Sequence, residues 1–360
     1  MPGDFPPASV SSGMPLPTVP ARAEFPLDSN FMVRRVAVSV PATCANLGPG
    51  FDCLALALSL RNRFEVTLEP AGADSPSAPC TEVLGAPEDI GRLRTGRDNL
   101  FLAAFRRLCQ QQGVAMPRIR VRIHVNLPPG RGLGSSATAV VGGLLAANTL
   151  LGNPLSDAAL LDLAVACEPG HHPDNVAAAL YGGMVVTGVR GADERLVTLA
   201  YPMPPSLRAV LFIPDLPMST VRGRSLLPGA YTRADVTFNL SRVALLLAAF
   251  STGKLGLLAT AMDDRIHQPY REQLFPGLRP LIAAACEAGA HGACLSGGGS
   301  SILALVTERA EAVRAAMEEA AGEHGIPGRG LIAEISPEGA HATLQVPLTP
   351  PEREEGDQDA

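Results

Sequence analysis

The chain has 360 residues, a length that suits two domains, and its content of 46% hydrophobic and 18% charged residues is typical of a globular protein with substantial cores. The net charge is −6 and the basic residues are scattered, which argues against a nucleic-acid-binding surface. No apolar run approaches the ~20 residues that a membrane span needs, and the first thirty residues lack the basic start and apolar core of a secretory signal. We therefore expect a cytoplasmic protein that binds neither nucleic acid nor membranes.

Composition also predicts two domains with loose ends. The start of the chain is rich in proline and serine, and its last ten residues are largely charged. We predict a disordered extension at 1–33, an N-terminal domain at 34–203, a second domain at 204–348 and a charged tail at 349–360. The seven cysteines are odd in number and form no CxxC pair, which favours small buried thiols in a reducing compartment over a metal cage.

Apolar residues in the first half of the chain recur with the periods of strands and helices. Alternation at period two predicts strands, and repeats at three and four residues predict helices. The predicted strands cover 36–40, 54–60, 64–68 and 118–127, with a loop at 41–52 and an irregular excursion at 71–98. Helices are predicted from Leu100 to a stop at Gly113, through the small residues that precede Asn148, and from an N-cap at Ser156.

The second half begins near Pro204 and interleaves further strands and helices. Strands are predicted at 209–213, up to Ser296, and at 302–306, 331–335 and 342–346. Helices are predicted at 237–250, 278–288 and 308–321, the last one capped by Gly322. Strands and helices mixed in this way predict an α+β sandwich.

A glycine-rich loop stands between the strand at 118–127 and the next helix, and reads Gly130-Arg131-Gly132-Leu133-Gly134-Ser135-Ser136. Glycines let the backbone approach a ligand closely, and a helix start offers unpaired N–H groups and a positive dipole end to an anion. The two serines can donate hydrogen bonds or ligate Mg²⁺. The loop has neither Walker A nor Rossmann spacing, and the alternative to a phosphate site is a structural turn.

Three segments in order resemble the motifs of GHMP kinases. PPGRGLGSSAT is similar to their ATP-binding signature, PATCANLGPGFD to their first motif and CLSGGGSSILALV to their third, and the likeness covers 34–346. The resemblance implies a two-domain α+β fold, with an N-terminal domain like ribosomal protein S5 domain 2 and a C-terminal ferredoxin-like α/β sandwich. It also implies ATP and Mg²⁺ as cofactors. The implied nucleotide-binding residues are Pro129, Gly130, Arg131, Gly132, Leu133, Gly134, Ser135, Ser136, Ala137 and Thr138.

Within this superfamily the closest resemblance is to homoserine kinases, carried by PAT-x-ANLGPGFD, GHHPDNVAAALYGG, LPMSTVRGR and HQPYREQLFPG. The resemblance implies ATP-dependent phosphorylation of the L-homoserine hydroxyl in threonine biosynthesis, by a homodimer. The implied substrate residues are Asn46, Asp52, His172, Thr220, Arg224 and Arg271. Asp52 suits the ammonium group and the two arginines suit the carboxylate. The alternatives are a turn or cap residue at Asp52 and ordinary surface arginines.

The resemblance further implies a metal pair and a catalytic group. Ser136 and Glu168 match the Mg²⁺ ligands, although Glu168 could also be a charge at a helix end. Asp174, Asn175 and Arg224 are the implied catalytic residues. Asp174 falls where some relatives place a general base, and Asn175 is expected to orient the hydroxyl or the waters of the metal.

Two departures from the family pattern carry expectations of their own. Within CEPGHHPDN, the stretch from Glu168 to Asp174 is two residues longer than the glutamate-to-aspartate stretch of the family's EGHPDN, which could displace Glu168 from the metal. The third motif has Gly298 for a serine and Ser300 for a proline, which predicts a more flexible loop. The rival functions are a GHMP kinase that acts on mevalonate, shikimate or a sugar, all of which lack an ammonium group, and a non-catalytic ATP-binding sensor on the same fold.

Overall fold

A computed structural model describes residues 35–69, 80–86, 99–190 and 195–345. The predicted extension at 1–33 and the predicted charged tail at 349–360 lie outside these residues. Within them, two β-sheets and their helices form the α+β architecture that the sequence predicts.

The first sheet has seven strands and contains most strands of the first half of the chain. Its strands are β1 (Arg35–Ala45), β2 (Leu54–Leu68), β3 (Cys80–Leu84), β4 (Ile119–His124), β5 (Met184–Arg190), β6 (Arg195–Tyr201) and β11 (His341–Gln345). The order is β11-β1-β2-β4-β3, with β5 paired to β2 and β6 paired to β5. Neighbouring strands are antiparallel except β3 and β4, which run parallel.

Several predictions for this sheet need correction. β1 continues through the first part of the predicted loop at 41–52, because a register shift between Pro41 and Ala42 lets the strand pass the proline. The two predicted strands at 54–60 and 64–68 are one strand, β2. The predicted excursion at 71–98 contains β3. The hairpin of β5 and β6 was not predicted.

Four helices pack with the first sheet: α1 (Leu100–Gln111), α2 (Ser135–Leu150), α3 (Asp157–Cys167) and α4 (Pro173–Tyr181). Ser156 caps α3 as predicted, since its hydroxyl accepts from the backbone N–H of Ala159. Gly113 follows α1 with φ +69°, as the predicted stop requires. At Gly143 of α2 a Cβ would lie 2.2 Å from the carbonyl oxygen of Phe101, so glycine permits the close packing of α1 and α2.

The second sheet has four antiparallel strands, β7 (Arg208–Pro214), β8 (Gly292–Leu295), β9 (Ile302–Val306) and β10 (Gly328–Glu334), in the order β10-β7-β9-β8. The helices of this half are α5 (Thr220–Ser225), α6 (Arg233–Thr252), α7 (Leu258–Ala261), α8 (Gln268–Arg271), α9 (Leu278–Glu287) and α10 (Ala310–Glu323). With α9 and α10 packed on one face, the sheet matches the ferredoxin-like prediction. The predicted cap at Gly322 is wrong, because α10 runs through that residue and Gly325 follows it with φ +64°.

The last strand crosses the domain boundary that the sequence predicts. β11 lies in the part assigned to the second domain, 204–348, but it pairs with β1 in the first sheet. A shared core also joins the two sheets, with side chains from β2, β7 and β9 such as Leu56, Leu211 and Leu303. The remaining boundary near residue 204 stays a prediction.

Among the residues that the structure describes, α6 has the length and composition of a membrane span, with a mean hydropathy of 1.3 in its most apolar window. This corrects the expectation that no such run exists. One helix of this kind is weak support for a span, because an apolar helix of a globular protein passes the same test.

The cysteine prediction is correct in part. Cys44, Cys109 and Cys294 are buried thiols, whereas Cys80 is exposed on β3 and Cys53, Cys167 and Cys286 are half-buried. Burial raises the pKa of Cys44 to about 12, so this thiol stays protonated near neutral pH.

Candidate active site

A cavity of about 610 Å³ lies between the glycine-rich loop, the loop at 46–53, the start of α4 and the start of α5. Ten residues that the sequence assigns to substrate, metal or catalysis line this one cavity: Asn46, Asp52, Ser136, Glu168, His172, Asp174, Asn175, Thr220, Arg224 and Arg271. They come from both halves of the chain, and the fold therefore brings all of them together.

The glycines of the glycine-rich loop are required by its backbone. Gly130, Gly132 and Gly134 have φ values of +71°, +76° and +69°, in the left-handed region that other residues rarely adopt. A Cβ at Gly132 would lie 2.1 Å from the carbonyl oxygen of Ser296. α2 begins at Ser135 with no side-chain cap on its first turn, so the N–H groups of that turn are left for a ligand.

The loop divides into residues that line the cavity and residues that hold the loop in place. Pro129, Gly130, Gly132, Gly134, Ser135, Ser136 and Thr138 line the cavity. Arg131, Leu133 and Ala137, the other three predicted nucleotide-binding residues, do not line it, so their side chains are not available to a ligand there and only their backbone groups could serve the prediction. The Arg131 guanidinium donates to the carbonyl oxygens of Pro214 and Asp215 at 2.7 and 2.6 Å, while Leu133 and Ala137 are buried in the apolar cores.

Ser136 and Glu168 are in direct contact. The Ser136 hydroxyl donates to Glu168 Oε1 at 2.5 Å, and Glu168 Oε2 is buried without a partner among the described residues. Burial raises the pKa of Glu168 to about 7, against a smaller lowering by the Ser136 hydrogen bond. The longer CEPGHHPDN segment therefore leaves Glu168 in contact with Ser136, the residue that the sequence pairs with it at the metal.

This pair fits a hard divalent cation. A carboxylate oxygen with no partner beside a hydroxyl offers the oxygen ligands that Mg²⁺ prefers. The described residues contain no group of three or more His, Cys, Asp or Glu side chains that could hold a metal. The remaining ligands would be waters and phosphate oxygens, which is the usual arrangement for Mg²⁺ at a nucleotide.

Asp174 is buried at the start of α4 and is held by its neighbour. Its Oδ1 accepts from the backbone N–H of Asn175 at 2.7 Å and from the Asn175 amide at 3.1 Å. The Thr43 hydroxyl donates to Asn175 Oδ1 at 2.7 Å, so β1 fixes this amide. Burial, followed by the negative charge of Asp52, raises the pKa of Asp174 to about 7. Sequence reasoning missed Thr43, although it stands in the first motif.

Asp52 and Arg224 form an ion pair in the wall of the same cavity. Arg224 Nη2 lies 2.5 Å from Asp52 Oδ1. Asn46 accepts from the Asp52 backbone N–H at 3.1 Å and donates to the carbonyl oxygen of Gly297 at 2.9 Å. Asp52 has φ +58°, so it occupies a turn as well as the cavity wall.

Arg271 is a buried cation rather than a surface arginine, with 2% of its surface exposed. Its Nη1 donates to the carbonyl oxygen of Gly297 at 2.8 Å. The guanidinium carbons of Arg224 and Arg271 lie 5.0 and 5.4 Å from the centroid of the Phe51 ring, which is within cation–π range. Phe51 was also missed from sequence, although it directly precedes Asp52.

The two adjacent histidines take different positions. His172 lines the cavity, and its Nε2 is buried without a partner among the described residues. Burial, and then the charge of Arg224, lower the pKa of His172. His171 is exposed and lies with Nδ1 3.1 Å from the carbonyl oxygen of Val165. The structure therefore brings His172 to the site, as predicted, and leaves His171 outside it.

The third-motif loop is anchored at several points. Ser300 is fully buried and its hydroxyl donates to the carbonyl oxygen of Leu216. The Ser301 N–H donates to the carbonyl oxygen of Arg131, and the Ser296 hydroxyl to that of Gly132, at 3.0 and 2.7 Å. Serine at position 300 thus provides an anchor, which argues against the flexibility that the loss of proline predicts.

Comparison with known proteins finds the same family that the sequence motifs resemble. The family models for the GHMP kinases N terminal domain and the GHMP kinases C terminal match residues 99–183 and 246–324. The homoserine kinase of Synechocystis sp. is 42% identical over 309 residues, which cover 85% of this chain and 97% of the relative. The homoserine kinase of Trichormus variabilis is 44% identical over 299 residues, covering 82% of this chain and 94% of the relative.

Solved structures agree with these relatives. The crystal structure of homoserine kinase from Cytophaga hutchinsonii is 30% identical, has a TM-score of 0.76 and covers 86% of this chain and 97% of that one. Mevalonate kinase of L. major, in complex with R-mevalonate, is 16% identical with a TM-score of 0.60, covers 88% of this chain and 98% of that one, and shares the fold alone. The chain therefore belongs to the GHMP kinases and, within them, to the homoserine kinase family.

Proposed function

We propose that this chain transfers the terminal phosphoryl group of ATP to the hydroxyl of L-homoserine and forms O-phospho-L-homoserine. The observation that carries the proposal is a set of four buried polar atoms in one cavity that have no partner among the described residues. They are Glu168 Oε2, His172 Nε2, Arg224 Nε and Arg271 Nε. A carboxylate in contact with Ser136 of the glycine-rich loop and two arginines in the same cavity suit a metal-bound nucleotide and a small acid.

The nucleotide would occupy the side of the cavity that the glycine-rich loop forms. The free N–H groups at the start of α2 suit the phosphates. Phe64, Leu100, Ile123 and Val125 line an apolar part of the cavity that suits the base. Ser136 and Glu168 would hold Mg²⁺, and the chemistry supplied there is neutralisation of the phosphate charge.

The amino-acid substrate would lie between Asp52 and the two arginines. Homoserine carries an ammonium and a carboxylate, so its ammonium can replace Arg224 at Asp52 while its carboxylate meets Arg224 and Arg271. Asn46, His172 and Thr220 line the same part of the cavity. Mevalonate, shikimate and sugars have no ammonium group, and Asp52 would then face an acceptor that offers it no positive charge.

Phosphoryl transfer needs little covalent chemistry from the protein, and positioning with charge stabilisation supplies most of the rate. We propose that Asn175, held by Thr43 and Asp174, orients the acceptor hydroxyl. Arg224 would stabilise charge near the transferred group. Asp174 would either accept the hydroxyl proton or act only by position, and its substitution separates the two roles.

The decisive experiment measures ADP formation with L-homoserine, mevalonate, shikimate and galactose, each with and without Mg²⁺. We expect turnover with L-homoserine that depends on Mg²⁺. Turnover with another of these alcohols but not with homoserine would overturn the proposal. ATP binding without turnover of any acceptor would favour the sensor instead, but the retained Ser136, Glu168 and Asp52 argue against that function.

We also propose that the reaction serves threonine biosynthesis in the cytoplasm and that the protein is a homodimer that binds neither nucleic acid nor membranes. The pathway and the dimer rest on the family resemblance, whereas the proposals on nucleic acid and membranes rest on the scattered basic residues and the composition of the chain. Light scattering on the purified full chain tests the dimer, and a mass equal to 37.4 kDa would contradict it.

A further inference from the structure

Arg271 is the largest fully buried side chain in the described structure, and the short helix that carries it needs support. α8 has four residues, Gln268–Arg271, and no capping side chain at its N-cap residue. A buried cation is stable only when its hydrogen-bond partners are fixed in place. The residues that fix Arg271 lie upstream, outside the set that the sequence assigns to the site.

Asp264 organises the segment before α8. Its Oδ1 accepts from the Ile266 N–H at 2.9 Å and from the Asn239 amide at 2.8 Å. Its Oδ2 accepts from the backbone N–H groups of His267 and Gln268 at 2.9 and 2.7 Å. Asp264 is 1% exposed, and its carboxylate therefore satisfies backbone donors at the helix start as an N-cap does.

His267 connects this segment to Arg271. Its Nε2 lies 2.7 Å from the carbonyl oxygen of Gly48 and 3.6 Å from Asp264 Oδ2, so Nε2 faces oxygen acceptors and carries the proton. Nδ1 is then an acceptor, and Arg271 Nη1 donates to it at 3.0 Å. Burial lowers the pKa of His267 to about 4, which keeps the imidazole neutral and the acceptor available.

The same histidine contacts the loop that carries Asp52. The Phe51 ring stacks on His267 with a centroid distance of 5.3 Å. A Cβ at Gly48 would lie 2.2 Å from the carbonyl oxygen of Met262, so glycine allows this loop to approach the segment that leads to α8. His267 therefore links the residue proposed for the ammonium group to the residue proposed for the carboxylate.

We propose that Asp264 and His267 are positioning residues that hold the Arg271 guanidinium toward the carboxylate of the amino-acid substrate. Neither residue lines the cavity, so both act through Arg271. This inference rests on the proposed function of the cavity. Under this proposal, the preference for an acceptor that carries a carboxylate depends on a buried chain of hydrogen bonds from Asp264 through His267 to Arg271.

The test uses the full chain with His267→Ala and two acceptors, L-homoserine and 3-amino-1-propanol, which is homoserine without its carboxylate. We expect kcat/KM for L-homoserine to fall about 10- to 100-fold, as for loss of a hydrogen bond to a charged group. The KM for ATP and the kcat/KM for 3-amino-1-propanol should each change less than about threefold. Equal losses with both acceptors would overturn the proposal.

Two further variants separate positioning from folding. His267→Gln can present a donor to Gly48 and an acceptor to Arg271, and we expect it to restore most of the preference for L-homoserine. A folded His267→Gln enzyme without that preference would overturn the proposal, and this holds even where His267→Ala does not fold. Adding His267→Ala to Arg271→Ala should cause no further loss, and additive losses would contradict action through Arg271.

A matched control and the wild type complete the design. His291 is a half-buried histidine that contacts the Thr307 hydroxyl and does not line the cavity, so His291→Ala should leave both acceptors unchanged. Wild-type enzyme that does not phosphorylate L-homoserine would refute the proposed function itself. If the wild type phosphorylates L-homoserine but His267→Ala lowers kcat/KM equally for L-homoserine and 3-amino-1-propanol, only the positioning role is refuted.

Discussion

Replacing Asp52 with asparagine removes one negative charge from the part of the cavity proposed to bind the amino-acid substrate and keeps the shape of the side chain. Arg224 Nη2 lies 2.5 Å from Asp52 Oδ1, and the two side chains are 32% and 33% exposed. Two unit charges 4 Å apart interact by roughly 4 kcal/mol at an effective dielectric constant of about 20. Solvent screens a substrate ammonium group at Asp52 to a similar extent. We therefore expect Asp52→Asn to weaken binding of that ammonium group by about 1.5–3 kcal/mol, the range for a hydrogen bond to a charged group.

This loss corresponds to a fall of about 10- to 100-fold in kcat/KM for L-homoserine. The assay compares L-homoserine with 4-hydroxybutyrate, which keeps the carboxylate and lacks the ammonium group. In Asp52→Asn the kcat/KM for 4-hydroxybutyrate should stay the same or rise, because the Asp52 carboxylate no longer competes with the substrate carboxylate for Arg224.

The control for charge removal is Glu311→Gln, which changes an exposed carboxylate that pairs with Arg314 on α10. It should leave both acceptors unaffected. Equal falls for L-homoserine and 4-hydroxybutyrate in Asp52→Asn would refute the assignment of Asp52 to the ammonium group.

Three further predictions test other parts of the site. Asp174→Asn should keep measurable turnover, and a loss above ~10⁴-fold, the upper end for acid–base help, would assign a general base. Because the pKa of Glu168 is about 7 and a metal binds the ionised carboxylate, Mn²⁺ affinity in the presence of ADP, measured by EPR, should weaken about tenfold per pH unit below 7. Glu168→Gln should reduce that slope to the part that titration of the ADP phosphate contributes. Gly132→Ala should unfold at lower urea concentration than Gly130→Ala. Both residues have positive φ, but a Cβ at Gly132 would overlap the Ser296 carbonyl oxygen at 2.1 Å, whereas the nearest atom to a Cβ at Gly130 lies at 3.5 Å. Equal midpoints would show that contact with Ser296 is unimportant.

Local sequence pattern predicted the elements whose burial is regular and failed where long-range pairing decides the structure. β9 has the predicted bounds because its five apolar residues are all buried between helices and the other sheet. β1 passes through Pro41 because β2 supplies a pairing partner along its whole length. β11 joins the first sheet through pairing between residues far apart in the chain, and no local period carries that information.

The site divides in the same way. Motif resemblance found ten polar and charged residues that line the cavity, but not its apolar lining, such as Phe64, Ile123 and Val125. It did not find Thr43, Phe51, Asp264 and His267, whose roles depend on which neighbours the fold brings to them. Motif resemblance assigns Arg131 to the nucleotide together with the rest of its loop, but the direction of its side chain follows from contact with Pro214 at the end of β7 and with Asp215.

The pairing of β11 with β1 also orders events during synthesis. β1 emerges from the ribosome among the first structured segments, while its partner on one side is the last strand of the described chain. Until that strand arrives, the edge of the nascent sheet is β1, with 11 residues, instead of β11, with 5, and a longer edge strand offers more unpaired backbone groups to another chain. A fragment that ends at residue 203 would retain this open edge, and expression of the two halves as separate polypeptides should therefore yield aggregation-prone material unless both are made together.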